Sequence, residues 1–269
     1  MYKIDFLEKR VEEFGFELIY MPEVDSTMRM VEKQAYVGVK NRIVVLADHQ
    51  TEGVGRSGRV WVDRPQSSIM FSVLMKIPQS SVATFADLVA LSINNSLNKV
   101  TGLTDIKIKY PNDIVFLGKK LGGILVKNIY DEGLDYLGTN VGIGLNIHYT
   151  EEMFKDLKTD YAVTALDICT GSQVNRQDLL LQILEDLRYL DAEIESVVAN
   201  PKHKEKYDIL WRNASSMLGK KISILKNDSQ VATGFVNDTA LGKGIELYID
   251  NEKKWYSLFE TDMKARVVN

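Results

Sequence analysis

Apolar positions at the start of the chain, Ile4, Phe6, Leu7, Val11 and Phe14, recur among charges at the spacing of one helix face, which predicts a short helix over residues 3–14. An apolar run at residues 16–20 leads into Asp25-Ser26-Thr27, where Asp25 or Ser26 is placed to cap a helix running towards Ala35. The run Ile43-Val44-Val45-Leu46-Ala47 predicts a strand, followed by a glycine- and arginine-rich loop over 49–64, a second strand over 69–75 and a long amphipathic segment over 82–100. From Asp105 to His148 the pattern is that of strands at 106–109, 114–116, 122–129 and 136–147. Gly118-Lys119 and Asp131-Glu132-Gly133 between them have the composition of tight turns, so antiparallel hairpins are expected. Residues 163–169 and 176–198 read as helical, and Pro201 breaks that pattern before a further short helix to about Trp211. Beyond it, short apolar runs at 221–225, 230–236, 245–249 and 255–258, separated by turn residues, predict a small β-barrel. The chain therefore reads as α+β, with the character changing near residue 215.

Composition narrows the class. The 269 residues are 45% hydrophobic and 26% charged, the profile of a folded globular protein. A formal charge of -4 argues against a general polyanion binder. The single Cys169 excludes an internal disulfide, and one cysteine with three scattered histidines does not make a soft-ligand zinc cluster. The N-terminal segment is charged throughout, and no apolar stretch approaches the roughly 18 residues of a membrane span. These features predict a cytoplasmic protein with no membrane partner.

Three segments carry chemistry. In residues 50–61, Gln50-Thr51-Glu52-Gly53-Val54-Gly55-Arg56-Ser57-Gly58-Arg59-Val60-Trp61, glycines let backbone N–H groups approach an anion and arginine forks can bind phosphate or carboxylate oxygens. A flexible surface loop with solvated arginines would have the same composition. No Gly-Lys-Ser or Gly-Lys-Thr ends the segment, so it is not a Walker loop. The second segment, Lys109-Tyr110-Pro111-Asn112-Asp113, groups a cation, an amide and a carboxylate at a proline-marked break, suited to a metal-bound triphosphate and equally to an ordinary turn. In the third, Lys120 precedes Leu121-Gly122-Gly123-Ile124-Leu125, where adjacent glycines mark either close approach of a ligand or a β-bulge beside a solvent-facing lysine.

The order, spacing and residues of these segments resemble the biotin protein ligase family, whose pattern is Gly-Arg-Gly-x-x-Gly-Arg-x-Trp, then Lys-Trp-Pro-Asn-Asp, then Lys-x-x-Gly-Ile-Leu. The resemblance extends to Asp25-Ser26-Thr27 upstream and to Gly142-Ile143-Gly144-Leu145-Asn146 downstream, covering roughly residues 24–148. It implies an α+β catalytic domain like that of class II aminoacyl-tRNA synthetases and biotin/lipoate ligases over residues 1–215, and an SH3-like β-barrel over 216–269. The implied reaction joins biotin to ATP as biotinyl-5'-AMP and passes it to a lysine of a biotin carboxyl carrier protein or domain.

By the same resemblance, Ser26, Thr27 and Gln50 would hold the ureido end of biotin, with Gly53, Val54, Gly122 and Gly123 around it. Arg56 would lie over the adenylate phosphate or carboxylate, Arg59 beside the nucleotide, and Trp61 against the adenine. Lys120 would bind the biotin carboxylate and α-phosphate, offsetting charge in the transition state. Lys109, Asn112 and Asp113 would handle the polyphosphate and Mg²⁺, with Asp113 also accepting a proton from the incoming lysine. Asn146 would read the adenine edge. Lys120, Arg56 and Asp113 are thus the catalytic candidates, and biotin, ATP and Mg²⁺ the implied ligands.

Three departures stand out: Val54 where the family usually has arginine, Met28 where asparagine often follows Ser-Thr, and Tyr110 where tryptophan is usual but an aromatic wall is kept. About 24 residues precede the Asp-Ser-Thr motif, too few for the winged helix of larger relatives, so no nucleic-acid partner is expected. The Arg-Arg-x-x-Gly-Gly-Gly motif of lipoate or octanoate ligases on the same fold is absent. A non-catalytic biotin or biotinyl-AMP sensor is the other alternative, opposed by the presence of Lys120, Asn112 and Asp113. An exposed sheet edge would suit a homodimer. His49 and His148 read as ordinary polar residues.

Overall fold

The computed structural model describes residues 2–38, 42–155, 161–259 and 263–268. In chain order the first elements are α1 (Ile4–Glu13), β1 (Glu17–Val24), α2 (Thr27–Tyr36), β2 (Ile43–Gln50), the short pair β3 (Gly53–Val54) and β4 (Val60–Trp61), β5 (Ser68–Met75) and α3 (Val82–Thr101). Four strands follow, β6 (Ile106–Lys109), β7 (Asp113–Phe116), β8 (Lys119–Tyr130) and β9 (Tyr136–Asn146). The helices α4 (Glu151–Lys155), α5 (Leu166–Thr170), α6 (Arg176–Leu187), α7 (Leu190–Ala199) and α8 (Pro201–Ala214) come next. The chain closes with β10 (Lys221–Lys226), β11 (Ser229–Ala240), β12 (Gly244–Ile249), β13 (Glu252–Tyr256) and β14 (Met263–Val267).

The α+β expectation holds. A seven-stranded mixed sheet has the order β1-β2-β5-β9-β8-β7-β6. β1 and β2 run parallel and the other neighbours antiparallel, and within 105–148 the strands β6, β7, β8 and β9 pair as the expected antiparallel hairpins. The five C-terminal strands form a second antiparallel sheet in the order β13-β12-β11-β10-β14.

The two faces of the large sheet are covered unequally. Alternation along the strands sends Val44, Leu46, Phe71, Val73, Val141, Ile143 and Leu145 into one core with α1, α3 and α6. That core continues through Trp211 and Met217 to Ile222, Ile224, Val236 and Leu247 of the C-terminal sheet. The opposite face carries a small cluster in which Val31 and Ala35 of α2 meet Ile43, Val45, Leu74 and Ile129. The rest of this face, beside α2, is open as a cleft.

The C-terminal sheet is fastened by buried polar contacts. Trp211 Nε1 donates to Thr239 Oγ1 at 2.8 Å, and Asp208 accepts the Leu241 N–H at 2.9 Å. Asp87, on α3 and only 2% exposed, accepts the Gly242 N–H at 2.8 Å. Tyr110 lies edge-on to Trp211 and accepts the Leu258 N–H at 3.2 Å. Tyr110 is therefore an aromatic of this packing, 5% exposed, and does not line the cleft.

Two helical expectations change. The predicted helix over 176–198 is split, because Arg42 Nη2 takes the Arg188 carbonyl at 2.7 Å and the Asp191 carboxylate at 2.8 Å, ending α6 and anchoring the first turn of α7. Of 163–169, only Leu166 onward is helical. Residues 162–164 instead run alongside Lys120, with Lys120 N–H donating to Ala162 O and Thr164 N–H to Lys120 O, both at 2.8 Å. Pro201 acts as a helix start, at the first turn of α8, with Asn200 capping the Lys202 and His203 N–H groups.

Candidate active site

The cleft offers about 470 Å³ of empty space, part of it open to solvent, and is lined by α2, the 50–61 segment, Asn112 of the β6–β7 turn, β8 and β9. Its floor exists because β9 alternates small residues on this face. Gly142 and Gly144 leave room for side chains from other elements. A Cβ at Gly142 would come within 2.6 Å of Met28 Sδ, and one at Gly144 within 2.7 Å of the Trp61 ring. Met28 and the indole of Trp61 thus rest directly on backbone.

One end of the cleft is neutral and hydrogen-bonding. Ser26 occupies the N-cap position of α2, yet its hydroxyl makes no capping bond and has no partner among the described residues. The Ser26 N–H is taken by Asp25, whose carboxyl is held below its ordinary range by that bond and by Arg29. Gln50 Oε1 accepts from the Thr27 N–H at 2.8 Å and from Thr27 Oγ1 at 3.1 Å, and Thr27 Oγ1 meets Ser72 Oγ at 2.8 Å. Gln50 is steadied from behind by Asp63, which accepts the Gln50 N–H at 3.3 Å and pairs with His49 at 2.9 Å. Burial raises the Asp63 carboxyl, and His49 opposes that rise.

The other end is charged. Lys120 Nζ lies 2.6 Å from Asp113 Oδ1, with side-chain exposures of 15% and 23%. A local irregularity creates this geometry: Ile114 pairs with Gly122 and Val115 with Lys120, so Leu121 is an extra residue in β8. In an unbulged strand Lys120 and Gly123, three residues apart, would point to opposite faces; the bulge re-phases the strand and both line the cleft. Of the two alternatives for the paired glycines, the β-bulge is present, but the lysine beside it is not solvent-facing. Asn112 lines the same end, and its carbonyl accepts the Ile124 N–H at 2.9 Å.

The glycine loop closes over this end as the hairpin β3–β4, pairing Gly53 with Trp61 and Val54 with Val60. Gly53 is obligatory here, since a Cβ would meet the Trp61 carbonyl at 2.5 Å. Arg56 lines the cleft, and its Nη2 also donates to the carbonyls of Leu258 and, at 3.1 Å, Met263. The loop cation is thereby tied to the C-terminal sheet. The Trp61 Nε1 is buried without a partner among the described residues.

Of the residues singled out from sequence, the structure gathers Thr27, Gln50, Val54, Arg56, Trp61, Asn112, Lys120 and Gly123 around the cleft, with Met28. Ser26, Gly53 and Asp113 adjoin it through the contacts above. Four lie apart from the lining. Arg59 is exposed and turns its Nε back to the Arg56 carbonyl; Lys109 sits across the hairpin from Asp113. Gly122 packs on Leu145, and Asn146 donates through Nδ2 to Thr164 O at 3.1 Å. Sequence reasoning did not assign Gly55, Ile124, Leu125, Gly142, Ile143 or Gly144 to the site, nor Ser72 behind Thr27. The alternate glycines of β9 were the available signal, because two glycines two residues apart clear one face of a strand.

Residues 20–146, which include the strands and loops around this cleft, match the model of the biotin/lipoate A/B protein ligase family. More narrowly, the chain is similar to biotin protein ligases. It is 31% identical over 178 residues to the bifunctional ligase/repressor BirA of Bacillus spizizenii, covering 65% of this chain and 54% of that one. With biotin--protein ligase 2 of Arabidopsis thaliana it shares 27% identity over 254 residues, 91% of this chain and 73% of that one. The chain spans about half the length of the BirA relatives it matches. Its fold is that of the biotin protein ligase of Aquifex aeolicus solved with biotin and ATP, with a TM-score of 0.76, 24% identity, and coverage of 93% and 99% of the two chains.

Proposed function

We propose that the chain is a biotin protein ligase, acting from a catalytic unit over residues 1–215 followed by a β-barrel unit over 216–269. The observation that carries this reading is the polarity of the cleft. Thr27, Gln50 and Ser72 at one end suit a neutral ureido ring, Met28 and Leu125 an apolar body, and Lys120 with Arg56 a carboxylate and the phosphate it attacks. Support also comes from the similarity to biotin protein ligases and from the change to antiparallel strands after α8.

In the first step a biotin carboxylate oxygen attacks the α-phosphorus of ATP and pyrophosphate leaves. Lys120 offsets the charge that accumulates between the two groups. Asp113, beside the Asn112 amide, would hold a Mg²⁺ that keeps water and phosphate ligands, and the ion would offset the charge of the triphosphate. In the second step the acceptor lysine amine attacks the acyl carbon, AMP departs, and Asp113 takes the amine proton. Holding amine and anhydride in line supplies most of this step. The acceptor is a carrier domain of a biotin-dependent carboxylase, and the setting is the cytoplasm.

The test is pyrophosphate release with Mg·ATP and either biotin or lipoate, followed by addition of a biotin carboxyl carrier domain. Release with biotin and labelling of the carrier lysine are expected. Lipoate-dependent release, or biotin binding without pyrophosphate, overturns the assignment.

A further inference from the structure

Tyr161 carries no role in the reading above, yet its ring centroid lies 5.1 Å from Lys120 Nζ, within the range of a cation–π contact. The contact is built rather than incidental. The residues after Tyr161 hold the Lys120 backbone on both sides, through Ala162 O and the Thr164 N–H, so the main chain that carries the ring is locked to the main chain that carries the ammonium. Thr164 is tied in turn to Asn146 at 3.1 Å.

We propose that Tyr161 is a positioning residue for Lys120, holding the ammonium in the cleft without neutralising it. The inference rests on the reading that Lys120 meets an anionic reacting group. Asp113, the other partner of this ammonium, is itself an anion and competes with a carboxylate or phosphate for the same charge. An aromatic face has no net charge to cancel. It keeps its attraction for the cation while an anionic substrate takes Asp113's place, so Lys120 stays ordered when the ion pair opens.

Two readouts test this, with Tyr161→Leu and Tyr161→Phe. The ring is 40% exposed, so neither substitution opens a core cavity. In biotin-dependent pyrophosphate release, Leu lowers kcat by roughly three- to thirty-fold with biotin KM changed less, and Phe restores it. In the NMR spectrum of the free protein, the ε-methylene of Lys120, assigned by its loss in Lys120→Arg, is shifted upfield by the ring; Leu removes that shift and Phe keeps it. Wild-type rates in the Leu variant, a Phe variant as slow as Leu, or an unshifted ε-methylene overturns the proposal. If the wild-type protein releases no pyrophosphate with biotin, the functional reading fails by itself, and the NMR comparison still decides whether Tyr161 holds Lys120.

Discussion

Asp87 offers a measurement in which the buried interface between α3 and the C-terminal sheet reports on itself. Its carboxyl is enclosed on α3 with the Gly242 N–H as its one donor among the described residues, and burial pushes it from 3.8 to about 8, with the nearby Lys204 ammonium only partly opposing. The folded state therefore keeps a proton that the unfolded chain sheds above pH 3.8. The sign follows: the contribution of this group to stability is fully present below the unfolded value, declines as pH rises, and is lost once pH passes about 8. At 1.36 kcal/mol per pH unit for one proton, the penalty at pH 7 is at most about 4 kcal/mol. Asp87→Asn removes the proton linkage while its amide oxygen still accepts from Gly242. Urea unfolding of both proteins between pH 5 and pH 8.5, expressed as the difference in free energy, cancels every other titrating group. The variant is expected to gain on the wild type steadily with pH, by about 2 kcal/mol or more across the range. A difference that stays flat would mean the Asp87 carboxyl is ionised in the folded protein, and the account of this interface would be wrong.

Three further outcomes are expected. Lys120→Ala abolishes adenylate formation while costing at most about 1 kcal/mol of stability, since Asp113 keeps access to water; a variant forming adenylate at a normal rate excludes Lys120 from the chemistry. Arg56→Gly lets biotinyl-5'-AMP escape and label bystander lysines, and also loosens the C-terminal sheet by about 1–3 kcal/mol through the lost bonds to Leu258 and Met263, read by bystander biotinylation and by thermal unfolding. Gly144→Ala forces the indole of Trp61 off the floor of the cleft, because the new methyl would stand 2.7 Å from the ring; tryptophan emission should shift and biotin affinity fall, with unchanged emission counting against the packing.

The reach of sequence reasoning differed from element to element for physical reasons. The helix over 82–100, the strands from 43 to 75 and the hairpins from 105 to 148 were readable because apolar periodicity is local. The segments around Arg56, Asn112 and Lys120 were readable as chemistry because their glycines, arginines and prolines are unusual wherever they stand. The single helix drawn over 176–198 failed because the break is imposed by Arg42, whose approach to Arg188 and Asp191 is a contact across the fold that no local window contains.

Sequence alone determined the class of fold, the composition of the candidate site and the chain order of its parts, since these depend on residue type and spacing. Tertiary structure decided which face each part presents. A bulge at Leu121 keeps Lys120 on the cleft face with Gly123 despite their odd spacing, and two bare positions on β9 made seats for Met28 and Trp61. Folding also brought Tyr161 to Lys120 across 41 positions, and gave Arg56 partners near the other end of the chain. Such relations are set by strand register and by which elements pack together, and both are fixed only when the whole sheet closes on its core.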